Sequence, residues 1–310
     1  MERLKIAISG ASGFIGANLA DYFSKNNEVT LLTRNIKSWR LLDKEATFLD
    51  ITDREKVLNT IKRINPDIMI HCAVYGGYHF ETDTKNIIKT NITGTINLLD
   101  ACKNVNLFIN TGSSSEYGIK YHSMKEADSV EPNTDYAMSK ALITNMLRAK
   151  DKKYPKAVTM RLFSAYGYYE EKHRLIPYLL RSIITGEKAT LSNKNNVRDF
   201  VFVEDVARAY ELTVQKHNKI ETGDIFNVGS GQQTKIADLV RILKADVKWN
   251  SRIRAKESDR AWKADISKIK KTFGWEPKNS LKEGLKKTAI WMKENLEMYS
   301  DEKNDKSRRS

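Results

Sequence analysis

The chain has 310 residues, 40% of them hydrophobic, enough for one elaborated globular domain or two closely joined lobes and too many for a disordered chain. No uninterrupted apolar stretch approaches bilayer length, and Met1 to Ser9 reads as a strand entering a glycine turn, so neither a membrane span nor a leader is expected. The 53 Lys and Arg outweigh 39 Asp and Glu by a formal +14, but the basic residues are scattered among acidic ones with no aromatic-interleaved stripe. That predicts a solvated surface attracting phosphorylated small molecules, without a specific nucleic-acid partner.

The first apolar run, Leu4 to Ser9, enters Gly10-Ala11-Ser12-Gly13-Phe14-Ile15-Gly16 and a helical pattern over Ile15 to Lys25. Glycine permits a tight turn and close backbone approach, and a helix N-terminus offers unpaired N–H groups to a pyrophosphate. Gly10, Ser12, Gly13, Phe14 and Ile15 are therefore candidate dinucleotide contacts, although the spacing of the first two glycines differs by one residue from the standard fingerprint. A second strand, Val29 to Thr33, ends in Thr33-Arg34-Asn35, where an acidic residue would take the ribose hydroxyls of NAD. Arg34 suits a 2′-phosphate instead, which favours NADPH, with NAD as the alternative. Asp50-Ile51 follows the next strand-like stretch and is placed to meet the adenine.

A helical pattern over Arg54 to Asn65 precedes a strand at Ile68 to Ala73, with Ala73 at its end a further cofactor contact. Cys72 here and Cys102 later both lie in apolar patterns, predicting a reducing, cytoplasmic setting without disulfides. His71, His79, His122, His173 and His217 show no ligand spacing, so no metal is expected. A helix over Asn86 to Asn104 leads to a strand at Leu107 to Thr111, and a helix over Tyr136 to Lys152 to a strand at Ala157 to Leu162. The last helix begins Tyr136-Ala137-Met138-Ser139-Lys140. Four residues is about one turn, so phenol and ammonium share a face, and the Lys is expected to lower the phenol's pKa toward a working range.

This alternation predicts an α/β fold, a doubly wound parallel sheet with its ligand at the carboxyl ends of the strands. After Tyr166 the pattern loosens, with Phe200 to Val203 and Ile225 to Val228 expected as short strands returning to the sheet. Residues 1–165, with 199–228 returning, form the dinucleotide-binding domain. Residues 166–198 and 229–298 form a smaller C-terminal substrate-binding lobe, and 299–310 a disordered tail.

Together these motifs resemble the extended short-chain dehydrogenase/reductase family, in its nucleotide-sugar branch and with a Rossmann-type sheet. The likeness runs from Met1 to about Asn295. It includes Asn91-Ile92-Thr93-Gly94-Thr95, Thr111-Gly112-Ser113-Ser114-Ser115-Glu116-Tyr117-Gly118 and Arg161-Leu162-Phe163-Ser164-Ala165-Tyr166-Gly167. Farther on come Arg198-Asp199-Phe200-Val201-Phe202-Val203-Glu204-Asp205-Val206, Phe226-Asn227-Val228-Gly229-Ser230-Gly231, and Gly274-Trp275-Glu276-Pro277 with Ser280-Leu281.

The resemblance implies that Ser113 holds the substrate oxygen, Tyr136 exchanges a proton and Lys140 binds the nicotinamide ribose, with Ser114 a weaker candidate for the hydroxyl contact. It places substrate contacts at Ser164 and Arg198, the latter facing the diphosphate. Ser164 stands where many relatives have Asn, and the late Arg before Ala264-Asp265 has Arg254 and Lys256 as competing choices. Ser114 and Ser115 occupy the positions of the Asp-Glu pair of sugar 4,6-dehydratases, which argues against dehydration. Two reactions remain: NADPH-dependent reduction of a 4-keto nucleotide sugar, and NAD-dependent 4-epimerisation of a UDP-hexose. Ala73-Val74-Tyr75-Gly76-Gly77-Tyr78-His79 and Asn196-Val197-Arg198-Asp199-Phe200 resemble the synthases that reduce CDP-4-keto-6-deoxyglucose to paratose or abequose. A reading of another class, a non-catalytic dinucleotide sensor or RNA-binding protein, has no use for Ser113, Tyr136 and Lys140 together. Ile87, Ile88, Ile92, Leu98, Leu99, Leu142, Ile143, Met146 and Leu147 leave apolar surface on two helices that relatives pair, so a homodimer is expected.

Overall fold

The computed structural model describes residues 3–78, 80–149, 154–250 and 261–299. In chain order its elements begin β1 (Lys5–Ser9), α1 (Phe14–Phe23), β2 (Glu28–Thr33), β3 (Thr47–Phe48), α2 (Arg54–Ile64) and β4 (Ile68–His71). A long helical segment follows, made of α3 (Thr84–Ile87), a π-helical stretch (Ile88–Gly94) and α4 (Thr95–Ala101). Then come β5 (Leu107–Ser113), α5 (Asp135–Arg148), β6 (Ala157–Leu162), β7 (Ser164–Tyr166), α6 (Leu175–Thr185), β8 (Ala189–Leu191), β9 (Val197–Arg198) and β10 (Phe200–Phe202). The chain closes with α7 (Val203–Gln215), β11 (Asp224–Val228), β12 (Thr234–Lys235), α8 (Ile236–Leu243), β13 (Val247–Trp249), α9 (Ser267–Phe273) and α10 (Leu281–Glu294).

Seven strands form one sheet in the order β11-β6-β5-β4-β1-β2-β3, every pair parallel. β4, β5 and β6 are buried at every residue, as strands must be when helices cover both faces. Leu19 and Phe23 of α1, Val206 and Tyr210 of α7 and Phe273 of α9 belong to the core on one face. Val57 and Ile61 of α2, Leu98 and Leu99 of α4, and Ile143 and Leu147 of α5 belong to the core on the other. The winding reverses between β1 and β4, which opens a crevice above their carboxyl ends.

The second lobe is built from two-stranded ribbons, β7 with β10, β9 with β12 and β8 with β13. Their core includes Tyr166, Leu179, Phe202, Leu239, Leu285 and Met292. β10 therefore does not return to the main sheet as expected for Phe200 to Val203. β11 takes the place beside β6, and β10 pairs in register with β7, Phe200 opposite Ser164. Tyr299, assigned from sequence to the tail, is 2% exposed and packs its ring on Trp39 and Trp291. Residues 300–310, like His79, Lys150 to Lys153, Arg254 and Lys256, lie outside the described residues. Among the described residues no helix is long and apolar enough to cross a membrane.

Candidate active site

A cavity of about 940 Å³ occupies the crevice between the sheet and the second lobe. Gly10, Ser12, Gly13, Phe14 and Ile15 line one end of it, with Arg34 and Ala73. Gly10 has φ +72°, and a Cβ there would overlap the backbone of Ala73, so the turns after β1 and β4 can abut only because residue 10 is glycine. Gly13 caps α1 without a side-chain hydrogen bond, and the first turn carries no acidic residue. The unpaired N–H groups and positive dipole end thus open on the cavity, a donor set that fits a dinucleotide pyrophosphate.

Ser12 Oγ and Thr33 Oγ1 share a hydrogen bond of 2.6 Å beside the exposed Arg34. Asp50, expected at the adenine, does not line the cavity: its Oδ1 accepts Thr52 N at 2.9 Å to close a turn, while its neighbours Leu49 and Ile51 form the wall. Cys72, expected in the core, is half-buried on the cavity wall, whereas Cys102 is buried.

At the centre, β5 delivers Ser113 and α5 delivers Tyr136 and Lys140. Thr134 begins α5 by accepting Ala137 N at 3.1 Å, which places Tyr136 and Lys140 on its first two turns. Tyr136 lies near enough to Ser113 for the serine hydroxyl to act on its phenol. Lys140 Nζ donates to Thr111 O at 2.8 Å. Ser113 Oγ accepts Ser115 N and donates to Ser115 Oγ, each at 3.1 Å.

Burial holds the Tyr136 phenol above its ordinary pKa, with the nearby Ser113 hydroxyl the largest opposing influence. This reverses the direction expected from the sequence. Lys140 is turned to a carbonyl, and burial pushes its own pKa down to about 8. The couple thus keeps the proton on the phenol and the charge on the amine at neutral pH.

Ser114 and Ser164 also line the cavity, as does Arg198, whose Nη1 donates to Val197 O at 2.7 Å and whose guanidinium lies 5.2 Å from the Trp262 ring centre. Asp199 accepts the N–H groups of Ser230, Gly231 and Ala264, and Asp205 those of Lys278 and Asn279.

Sequence reading missed Arg40, Glu170, Arg174 and Trp262, all in the cavity wall. Arg40 Nε donates to Tyr169 O at 2.8 Å. Arg174 Nη2 donates to Gly77 O at 2.7 Å, with its guanidinium 5.1 Å from the Tyr78 ring. Burial pushes the Glu170 carboxyl up to about 8, so it adds little negative charge to the cavity near neutrality. A lone tryptophan in a polar stretch was the one usable signal, at Trp262; a basic residue among 53 carries none. Among the described residues no cluster of His, Cys, Asp or Glu is placed to hold a metal.

The family described as "NAD dependent epimerase/dehydratase family" matches residues 6–229. A dTDP-glucose 4,6-dehydratase of Salmonella typhimurium is 25% identical over 97% of this chain and 96% of its own length. A putative UDP-glucose 4-epimerase of Methanocaldococcus jannaschii is 24% identical over 94% of this chain and 99% of its own. Among solved structures, the UDP-glucose 4-epimerase of Thermotoga maritima with UDP-glucose superposes at a TM-score of 0.85, with 26% identity, covering 94% of this chain and all of that one.

Proposed function

Because the chain belongs to the NAD dependent epimerase/dehydratase family, we propose that it is a nucleotide-sugar oxidoreductase that reduces the 4-keto group of a nucleotide-activated 6-deoxy sugar with NADPH. The observation that carries this reading is the wall beside Tyr136, where Ser113, Ser114 and Ser115 stand together. The resemblance puts the acid pair of the 4,6-dehydratases at Ser114 and Ser115, and a serine pair cannot do that acid–base work. Dehydratases are among the relatives, so this substitution, not overall similarity, sets dehydration aside, and Arg34, standing where epimerases usually carry an acidic ribose binder, favours reduction over epimerisation.

The glycine turn and the α1 N-terminus hold the cofactor's pyrophosphate, Arg34 its 2′-phosphate, and Lys140 its nicotinamide ribose. Bound NADPH supplies the hydride for the sugar carbon. Ser113 holds the substrate oxygen with its hydroxyl, and Tyr136 delivers the proton from its phenol as charge develops there. Arg198, steadied against Trp262, takes the substrate diphosphate, and Ser164 contacts the same substrate from the start of β7. The assembly we infer is a homodimer covering Ile88, Met138 and Leu142, each more than 40% exposed, and sedimentation velocity reads it.

A second reading, 4-epimerisation of a UDP-hexose with retained NAD, is favoured by the likeness to the Thermotoga epimerase. The test is NADPH oxidation, followed by absorbance, with CDP-, dTDP-, GDP- and UDP-4-keto-6-deoxyhexoses. Consumption matching the substrate supports the reductase. No consumption across the panel, with stoichiometric NAD released on denaturation, replaces it by the epimerase.

A further inference from the structure

The turn that carries Ser113 rests on an ion pair with no part in the chemistry above. Glu116 and Arg161 are both fully buried, and Arg161 Nε donates to Glu116 Oε2 at 2.8 Å. The other carboxylate oxygen, Oε1, accepts the backbone N–H of Ser113 at 2.8 Å. Gly112 makes the room: a Cβ there would lie 2.7 Å from Glu116 Oε1 and 2.6 Å from Thr159 Cγ2. The guanidinium lies 4.5 Å from the ring centre of Tyr117, whose hydroxyl donates to Asn227 Oδ1 at 2.7 Å. Desolvation commonly cancels the attraction within such a pair, and apolar side chains of equal volume hold a fold as well. Stability alone therefore does not account for two charges under the Ser113 turn.

We propose that Glu116 is a positioning residue: its side chain, gripped by Arg161, fixes the Ser113 backbone and sets a negative charge toward Lys140. The proposal rests on the reading of Ser113, Tyr136 and Lys140 as the catalytic centre. Glu116 is the largest influence opposing the burial of Lys140, followed by Cys72 at the end of β4. The buried His71 of β4 also feels the Lys140 charge. Tyr136 faces Ser113 and Glu116 from the β5 turn, Arg174 from the second lobe and Tyr78 from the loop after β4. Neutralising Glu116 therefore lowers the pH at which Lys140 loses its proton.

The experiment uses the full chain with Glu116→Gln, and carries Glu116→Gln/Arg161→Met in parallel because a lone buried guanidinium can prevent folding. Acetic anhydride labelling of Lys140 across pH, read by mass spectrometry without substrate, is compared with kcat and KM profiles on the 4-keto sugar found above. The expected result is a labelling midpoint and an alkaline limb of kcat that both move to lower pH, with kcat down about tenfold to a hundredfold and KM within about twofold. A folded variant with midpoint and limb unmoved overturns the proposal. A shifted midpoint in a protein that turns over no sugar nucleotide supports the role of Glu116 and overturns the function reading instead.

Discussion

Tyr136 and Lys140 are driven by burial in opposite directions, the phenol up and the ammonium down to about 8, so at neutral pH the site holds a neutral acid beside a cation. Tyr136→Phe should lower kcat by about 10²–10⁴-fold while leaving the thermal shift on NADPH addition unchanged, and retained turnover would remove the phenol from the mechanism. Glu170 makes a separate test. Its pKa rises in the fold from an ordinary 4.5 to about 8, so the native state keeps a proton that the unfolded chain has lost. Its contribution is whole below 4.5 and declines as pH rises to about 8, by about 1.4 kcal/mol per unit. Glu170→Gln should therefore raise Tm over the parent protein at pH 9 and not at pH 4, as calorimetry at the two pH values would read. Tyr136 and Lys140 were legible as a pair because one helical turn fixes their relation locally. Arg40, Arg174 and Glu170 were not, because only the folding of distant loops brings them to one wall. The sign of the Tyr136 shift was also out of reach, since burial is a tertiary property.

The helical segment after β4 widens into a π-helical stretch at Ile88–Gly94, and Asn91 within it ties two parts of the site together. Asn91 Oδ1 accepts Tyr75 N, and its Nδ2 donates to Tyr75 O, each at 2.8 Å, and to Ser139 Oγ at 2.9 Å. Asn91→Ala should cost about 2–4 kcal/mol in denaturant unfolding, from three lost hydrogen bonds. Helix α10 docks on the second lobe through Gly284, where a Cβ would overlap the Tyr166 hydroxyl. Tyr166 is 1% exposed and cannot swing aside. Gly284→Ala should destabilise by about 1–3 kcal/mol, and an unchanged midpoint would show that the helix slides freely. At this scale the sheet strands and their covering helices followed from apolar patterning. The misplacement of Phe200 to Val203 shows the limit, since an apolar run reports burial and not which strand it pairs with. The π-helical widening was equally silent, because one altered hydrogen-bond register leaves the hydrophobic pattern intact.

For the whole molecule, the cavity spans both lobes, so a ligand that fills it couples them. NADPH at a hundred times its Kd should stabilise the fold by about 2.7 kcal/mol. NADH at the same concentration should shift Tm less, and Arg34→Ala should erase the difference; equal shifts by both cofactors in the parent protein would remove the 2′-phosphate assignment. The order in which the chain reaches the sheet has a consequence of another kind. β6, buried at every residue, is complete at Leu162, but its neighbour β11 arrives only at Asp224–Val228, after the chain has passed through β7 to α7. On a ribosome adding roughly 5–20 residues per second, the nascent sheet therefore spends several seconds with β6 as a bare apolar edge. It is in that interval, before Val228 emerges, that the newborn protein most needs a chaperone.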